Sequence, residues 1–287
     1  MQYILEGTTK RYQGNGNCTY PSFTPKKDDL CRYGCEFEFY IDTEQYLYSE
    51  VIDALTKALY ELTSADILVD EISIPHEVDK NHCMQVKPDI SLEDHGVEIS
   101  VPISTKKGIL HYIQMILPLI EQYGYTNKET GFHIHMSTLG SGHIDFYRFM
   151  LLCDDAGLLS AWKPRIGYSQ NVMDILTSHT KQETRIIKTK KGTIWNLERI
   201  DPHHIEIKSI GGADYHKEIE RLMKEFEIYA DYFIQALGIV TPEHKRLLEK
   251  HKQMLDSLDN KEAKGRFASA LIEAGILDTY GSTYSPQ

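Results

Sequence analysis

The stretch Thr130-Gly-Phe-His-Ile-His-Met-Ser-Thr138 constrains the fold most, because its residues alternate at period two and only an extended strand turns that period into two faces. His133, His135 and Ser137 fall on one side, and Phe132, Ile134 and Met136 on the other. A strand that merely meets water needs no imidazoles, since any hydrated side chain would serve. Two ring nitrogens two positions apart suit a metal ion or a polyanion, although so short a motif does not require either.

Three other stretches repeat the alternation with carboxylates. In Tyr33-Gly-Cys-Glu-Phe-Glu-Phe-Tyr-Ile41, Glu36, Glu38 and Tyr40 oppose Cys35, Phe37, Phe39 and Ile41. In Gly96-Val-Glu-Ile-Ser-Val-Pro102, Glu98 and Ser100 oppose Val97, Ile99 and Val101. In His203-His-Ile-Glu-Ile-Lys-Ser-Ile-Gly-Gly212, His204, Glu206 and Lys208 share a face opposite Ile205 and Ile207. Two carboxylates roughly 7 Å apart on one strand face repel unless a cation lies beside them, and Glu is a poor strand former. One such strand can be a solvated edge; four at once predict a shared polar face. Oxygen donors dominate it, which favours Mg²⁺ or Mn²⁺ over a thiolate- or imidazole-rich zinc site.

The intervening segments read as helices. Tyr46 to Leu62 carries Val51, Ile52, Leu55, Ala58, Leu59 and Leu62 on one side, and a long helix runs from Thr105 to about Tyr123, with Pro118 inside it as a kink. Ile67 to Ile74 and His82 to Asp89 read as strands, the second broken by Pro88. Helices are expected over 144–159, 215–237, from Thr241, and over 265–274; 193–197 reads as a strand, and the basic stretch 177–192 as a mobile loop. The prediction is an α+β fold: an antiparallel sheet with helices over one face and its polar face gathering the acids and imidazoles. It divides into an N-terminal arm (1–32), rich in Gly, Asn, Pro and Thr, a core (33–212), and helices packed on the core (213–287), with no linker to separate them.

Composition narrows the function classes. The chain has 287 residues, 41% apolar and 25% charged, with a net charge of −11, which disfavours non-specific binding to a nucleic-acid backbone. No apolar run is long enough to span a membrane, and the N-terminus lacks a signal-peptide pattern. Five cysteines without a Cys-x-x-Cys pair read as reduced thiols and a cytoplasmic setting.

Taken together, the motifs resemble the amidoligase family. They are Gly34-Cys-Glu36-Phe-Glu38, Asp89-Ile-Ser91, Gly96-Val-Glu-Ile-Ser100, Gly131-Phe-His-Ile-His-Met-Ser137, Trp195-Asn-Leu197 and Ile205-Glu-Ile-Lys208 with Gly211-Gly212. That family belongs to the carboxylate–amine ligases related to glutamine synthetase and glutamate–cysteine ligase. The resemblance, which runs in order from 33 to 212, implies a curled antiparallel sheet forming a catalytic funnel. It implies ATP and two or more Mg²⁺ (or Mn²⁺), with Glu38 and Glu98, and Asp89 beside them, holding the ion nearer the acceptor. Glu36, His133 and Glu206 would hold the ion that orients the ATP phosphates, and His135 and Ser137 would lie against the nucleotide. Arg165, Arg199 and Lys208 would neutralise the transferring phosphoryl group, Arg165 and Lys208 also binding the nucleotide; Lys208 departs from the family's usual Arg, replacing a bidentate fork with a single charge.

The expected reaction is ATP-dependent amide formation between a small-molecule or peptide carboxylate and an amine donor, through an acyl phosphate. Two other readings use the same residues: a Mg²⁺-dependent phosphotransferase or hydrolase, and a non-catalytic nucleotide- or metal-binding relative. The long C-terminal helices offer a surface either to the sheet or to a second copy of the chain.

Overall fold

The computed structural model describes residues 2–6, 9–13, 30–43, 47–63, 67–70, 83–89, 91–92, 96–138 and 203–237, with residues 144, 148, 149, 152, 153, 158, 162 and 257. The strands are β1 (Gln2–Glu6), β2 (Thr9–Gln13), β3 (Cys31–Ile41), β4 (Ile67–Asp70), β5 (Met84–Pro88), β6 (Gly96–Ser100), β7 (Gly124–Tyr125), β8 (Gly131–Thr138) and β9 (His204–Gly211). The helices are α1 (Tyr48–Thr63), α2 (Lys106–Tyr123) and α3 (Ile219–Ala236), the last preceded by a 3-10 turn at Tyr215–Lys217. All nine strands join one sheet in the order β1-β2-β4-β5-β6-β3-β8-β9, with β7 beside the end of β3.

Alternation decides which way each strand faces. Phe37 and Phe39 of β3, Ile99 of β6, Phe132, Ile134 and Met136 of β8, and Ile205 and Ile207 of β9 are fully buried and form one core with apolar residues of the three helices. Each such side chain stabilises the fold by about 1.5–3 kcal/mol relative to exposure. Phe37 and Phe132 pack with centroids 4.9 Å apart, and Tyr33 meets Phe226 of α3 edge-on at 5.6 Å. Thr105 caps α2, accepting from the Gly108 N–H at 3.3 Å, and the helix continues through Pro118.

The fold is α+β, as expected, but the sheet is mixed. β4 and β5 are parallel, whereas the five strands from β5 to β9 across the sheet (β5, β6, β3, β8, β9) pair antiparallel. The parallel join depends on pairing between segments on either side of residues 71–82, which no local pattern encodes. The stretch expected to be an irregular arm contains the β1–β2 hairpin, which pairs with β4, and Cys31 and Arg32 already belong to β3. The expected helix over 215–237 begins instead with the 3-10 turn before α3. The helices expected over 144–159, from Thr241 and over 265–274, the loop 177–192 and the strand 193–197 lie largely or wholly outside the described residues.

β9 carries an irregularity that the alternation alone misses. His135 faces Glu206 and Ile134 faces Ile207, but Phe132 faces Ile210, so one β8 residue is opposed by both Lys208 and Ser209. This bulge keeps Lys208 in phase with Glu206 while letting Ile210 rejoin the core. Ser209 turns to the helix layer, where its hydroxyl lies 2.9 Å from the buried Tyr229 hydroxyl. Gly211 (φ 143°) and Gly212 (φ 102°) then leave the strand through backbone space that favours glycine, and the Gly212 N–H bonds the Thr130 carbonyl at 2.9 Å.

Candidate metal and ligand site

Register places the polar residues side by side. Across β3 and β6, Glu36 faces Ser100 and Glu38 faces Glu98; across β3 and β8, Glu36 faces His133 and Gly34 faces His135. On the far side of β8, His135 faces Glu206 and Ser137 faces His204. Four strands therefore deliver their acids and imidazoles to one patch of the face opposite the core.

His133 is its centre. Its Nδ1 lies 3.2 Å from Glu36 Oε2 and 3.8 Å from Glu206 Oε1, and its Nε2 lies 3.2 Å from Glu38 Oε1. Carboxylate oxygens thus flank both ring nitrogens. Beside it, a chain of close polar contacts starts at Ser137. The Ser137 hydroxyl is 2.8 Å from His204 Nδ1, His204 Nε2 is 3.4 Å from His135 Nδ1, and His135 Nε2 is 3.3 Å from Glu36 Oε1.

Electrostatics favour the charged form of Glu36 and Glu206. Burial by itself raises the Glu36 carboxyl, but the charge on His135 and hydrogen bonds from His133 and His135 outweigh it, so the group sits well below the usual carboxylate range. Glu206 follows the same pattern: burial raises it, the charges of His135, His133 and Lys208 lower it further, and Glu36 opposes them. The Lys208 ammonium is 3.1 Å from Glu206 Oε1. Glu98 behaves differently, because burial and the neighbouring Glu36 charge push it up despite its partners. Those partners are Lys87, whose Nζ is 2.9 Å from Glu98 Oε1, and Ser100, which donates to the same oxygen at 2.5 Å.

Glu36, His135 and Glu206 each offer a ligand atom, all within 4.8 Å of one another. Two hard oxygens and an imidazole nitrogen on rotatable stems suit Mg²⁺ or Mn²⁺, whose ligands close to about 2.0–2.2 Å. These three residues fit a divalent ion. The resemblance puts His133 with Glu36 and Glu206, and its Nδ1 lies 3.2 and 3.8 Å from them; His135 stands beside it on the same face. Glu38 and Glu98 meet across the strands as expected. Asp89 sits apart, at the exit of β5, where its Oδ1 accepts the Ser91 N–H at 2.8 Å in an exposed turn. Arg165 and Arg199 lie outside the described residues.

A pocket of about 290 Å³ opens against this patch, lined by Arg32, Gly34, Glu36, Ser100, His135, Ser137 and His204 among others. Two cations here escaped the sequence reading. Arg32 stands opposite Ser137 in register and exposed at the pocket, although it shares the even phase of Glu36 and Glu38. Lys87 is buried, at 7% exposure, beside the Pro88 that made its strand look broken. Extending the Tyr33–Ile41 alternation one residue outward would have found Arg32, whereas Lys87 lies inside the expected His82–Asp89 strand, at its Pro88 break.

Gly34 supplies the space. A Cβ there would meet only His135 Cβ at 3.6 Å, so no close approach demands glycine; what it leaves is an open pocket wall. Among the described residues, no helix is long and apolar enough to cross a membrane, and Cys31, Cys35, Cys83 and Cys153 are buried and form no disulfide with one another. No family model matches the chain, and no curated protein matches it.

Proposed function

We propose that this protein is an ATP-dependent carboxylate–amine ligase whose polar sheet face forms the inner wall of a catalytic funnel. The observation that carries the reading is the convergence of Glu36, Glu38, Glu98, His133, His135 and Glu206 from four strands onto one patch beside a pocket. Ionised acids held that close serve chemistry in which a polyanion must be bound through a cation. Glu36, His135 and Glu206 would hold the divalent ion, which when bound supplies charge neutralisation for the ATP phosphates.

The chain's own residues account for the rest. Arg32, exposed at the pocket, and Lys208, half-exposed beside Glu206, offer positive charge to transferring phosphoryl oxygens. Ser137 and His204 line the pocket wall and can donate to a phosphate or ribose oxygen. A substrate carboxylate attacking the γ-phosphorus gives an acyl phosphate and ADP; an amine then attacks the acyl carbon, releases phosphate and yields the amide. The proton lost by the amine has an acceptor in the pocket's imidazole chain.

Hydroxylamine tests the proposal directly, because it traps an activated acyl group as a hydroxamate. With ATP, Mg²⁺ and a panel of amino-acid and peptide carboxylates, at least one acid is expected to give ADP and hydroxamate in equal amounts. Glu36→Gln should lower that turnover at least about 100-fold, the scale of losing a group that stabilises transition-state charge. ADP formed without hydroxamate for every acid would make the protein a phosphotransferase or hydrolase. No ADP under any condition would leave a binding protein.

A further inference from the structure

We infer that Lys87 takes the place of a second metal ion, so that this site holds a single divalent cation. The inference rests on the metal-dependent ligase reading and concerns how many ions serve it. Glu38 and Glu98 stand directly opposite each other on β3 and β6, a like-charge pair that destabilises a sheet unless compensated. Each already has a buried positive or donating partner. Glu38 faces His133 Nε2 at 3.2 Å, and Glu98 is held by the Lys87 ammonium at 2.9 Å and the Ser100 hydroxyl at 2.5 Å.

Lys87 is placed by its strand, not by chance. It faces Glu98 in the β5–β6 register, and its side chain is only 7% exposed, so the ammonium has no route to bulk water without leaving its partner. A buried ammonium within hydrogen-bond distance of the buried Glu98 carboxylate supplies there the positive charge that a cation would otherwise bring. An entering ion would have to displace a lysine whose own desolvation has already been compensated there.

The pairing across the strands agrees: among the described residues, Lys87 holds Glu98 and His133 lies against Glu38, so this acidic pair already has its partners. Glu36, His135 and Glu206, whose ligand atoms lie within reach of one another, stand on β3, β8 and β9, whereas Lys87 stands on β5 beyond β6.

Counting Mn²⁺ tests this without turnover. The loss of the free-ion EPR signal on titration gives the number of ions bound, and circular dichroism reports the fold. Wild type should take up about one Mn²⁺ per chain, and Lys87→Ala about two, since removing the ammonium restores an acidic pair in need of a cation. Lys87→Met, which keeps the aliphatic stem and its packing, gives the same comparison if the alanine variant fails to fold. The double variant Lys87→Met, Glu98→Gln should return to about one. Two ions in the wild type, or one in a folded Lys87 variant, would overturn the inference while leaving the ligase reading intact. No ion in the wild type would remove both.

Discussion

Gly34 illustrates how much a single residue decides on this face. Its neighbours in phase are Arg32 and Glu36, and it alone among them leaves the pocket open. Because a Cβ at this position meets nothing closer than 3.6 Å, Gly34→Val should fold at least as well as wild type. A β-branched residue suits a strand, and glycine costs roughly 0.5–1 kcal/mol in a strand interior. The longer side chain extends into the pocket, so nucleotide affinity should fall at least about tenfold, a loss of about 1.4 kcal/mol. Thermal melting and nucleotide titration on the same variant check both halves; unchanged binding would place the ligand elsewhere. The residues themselves divide by how they could be read. Glu36, Glu38, Glu98, His133, His135 and Glu206 are legible because each lies inside a clean alternation. Arg32 is hidden by the Gly- and Asn-rich sequence before it, and Lys87 by Pro88. How the nitrogens of His133 and His135 are aimed was not legible, because strand period gives the face of a residue and not its rotamer.

At the scale of elements, the site depends on the opposite side of the same strands. Phe37 lies between Glu36 and Glu38 in sequence, and its ring packs on Phe132, the neighbour of His133. Phe37→Ala should cost about 3–5 kcal/mol; with that loss the register of β3 against β8 becomes less secure and metal affinity should fall alongside stability. Denaturant titration with and without Mn²⁺ measures both. α3 carries a second, electrostatic test far from the pocket. Buried Glu225 accepts hydrogen bonds from the Trp162 indole N–H and from Arg221 Nε at 3.1 Å, while the Arg221 guanidinium stacks over Trp162 at 4.1 Å. Burial raises the Glu225 carboxyl more than these partners lower it. A raised folded-state value contributes stability fully below the unfolded value, about pH 4, and that contribution is lost as pH rises through the folded value. Glu225→Gln keeps an acceptor for Trp162 and does not ionise, so its stability relative to wild type should improve between about pH 4 and 7. Parallel stability curves would mean that the bonded carboxylate is already the favoured form. None of this was readable from α3 alone, because Trp162 comes from a distant segment.

For the whole molecule, the acidic balance and the sheet order make one connected prediction. The chain carries a net charge of −11, and part of its acid is concentrated on β3 and β9, through Glu36, Glu38 and Glu206, on either side of the imidazoles of β8. The antiparallel centre that aligns these strands was legible from the four alternations; the parallel β4–β5 pair and the β1–β2 hairpin were not, since long-range pairing leaves no local period. An ion gripped by residues from three strands binds the folded chain and finds no such site in the unfolded one, so it must stabilise the fold by mass action. At 100 times its dissociation constant the gain is about 2.7 kcal/mol. At about 2–4 °C per kcal/mol for chains of this size, Mg²⁺ or Mn²⁺ should raise the melting temperature by roughly 5–10 °C. General screening of a highly acidic protein would raise it too, so the comparison is with sodium chloride at equal ionic strength and with Glu36→Gln. A rise specific to the divalent ion and absent from Glu36→Gln ties the stabilisation to this patch. An equal rise with sodium chloride, or an undiminished one in the variant, would mean that the acids of the sheet face repel one another without gripping an ion.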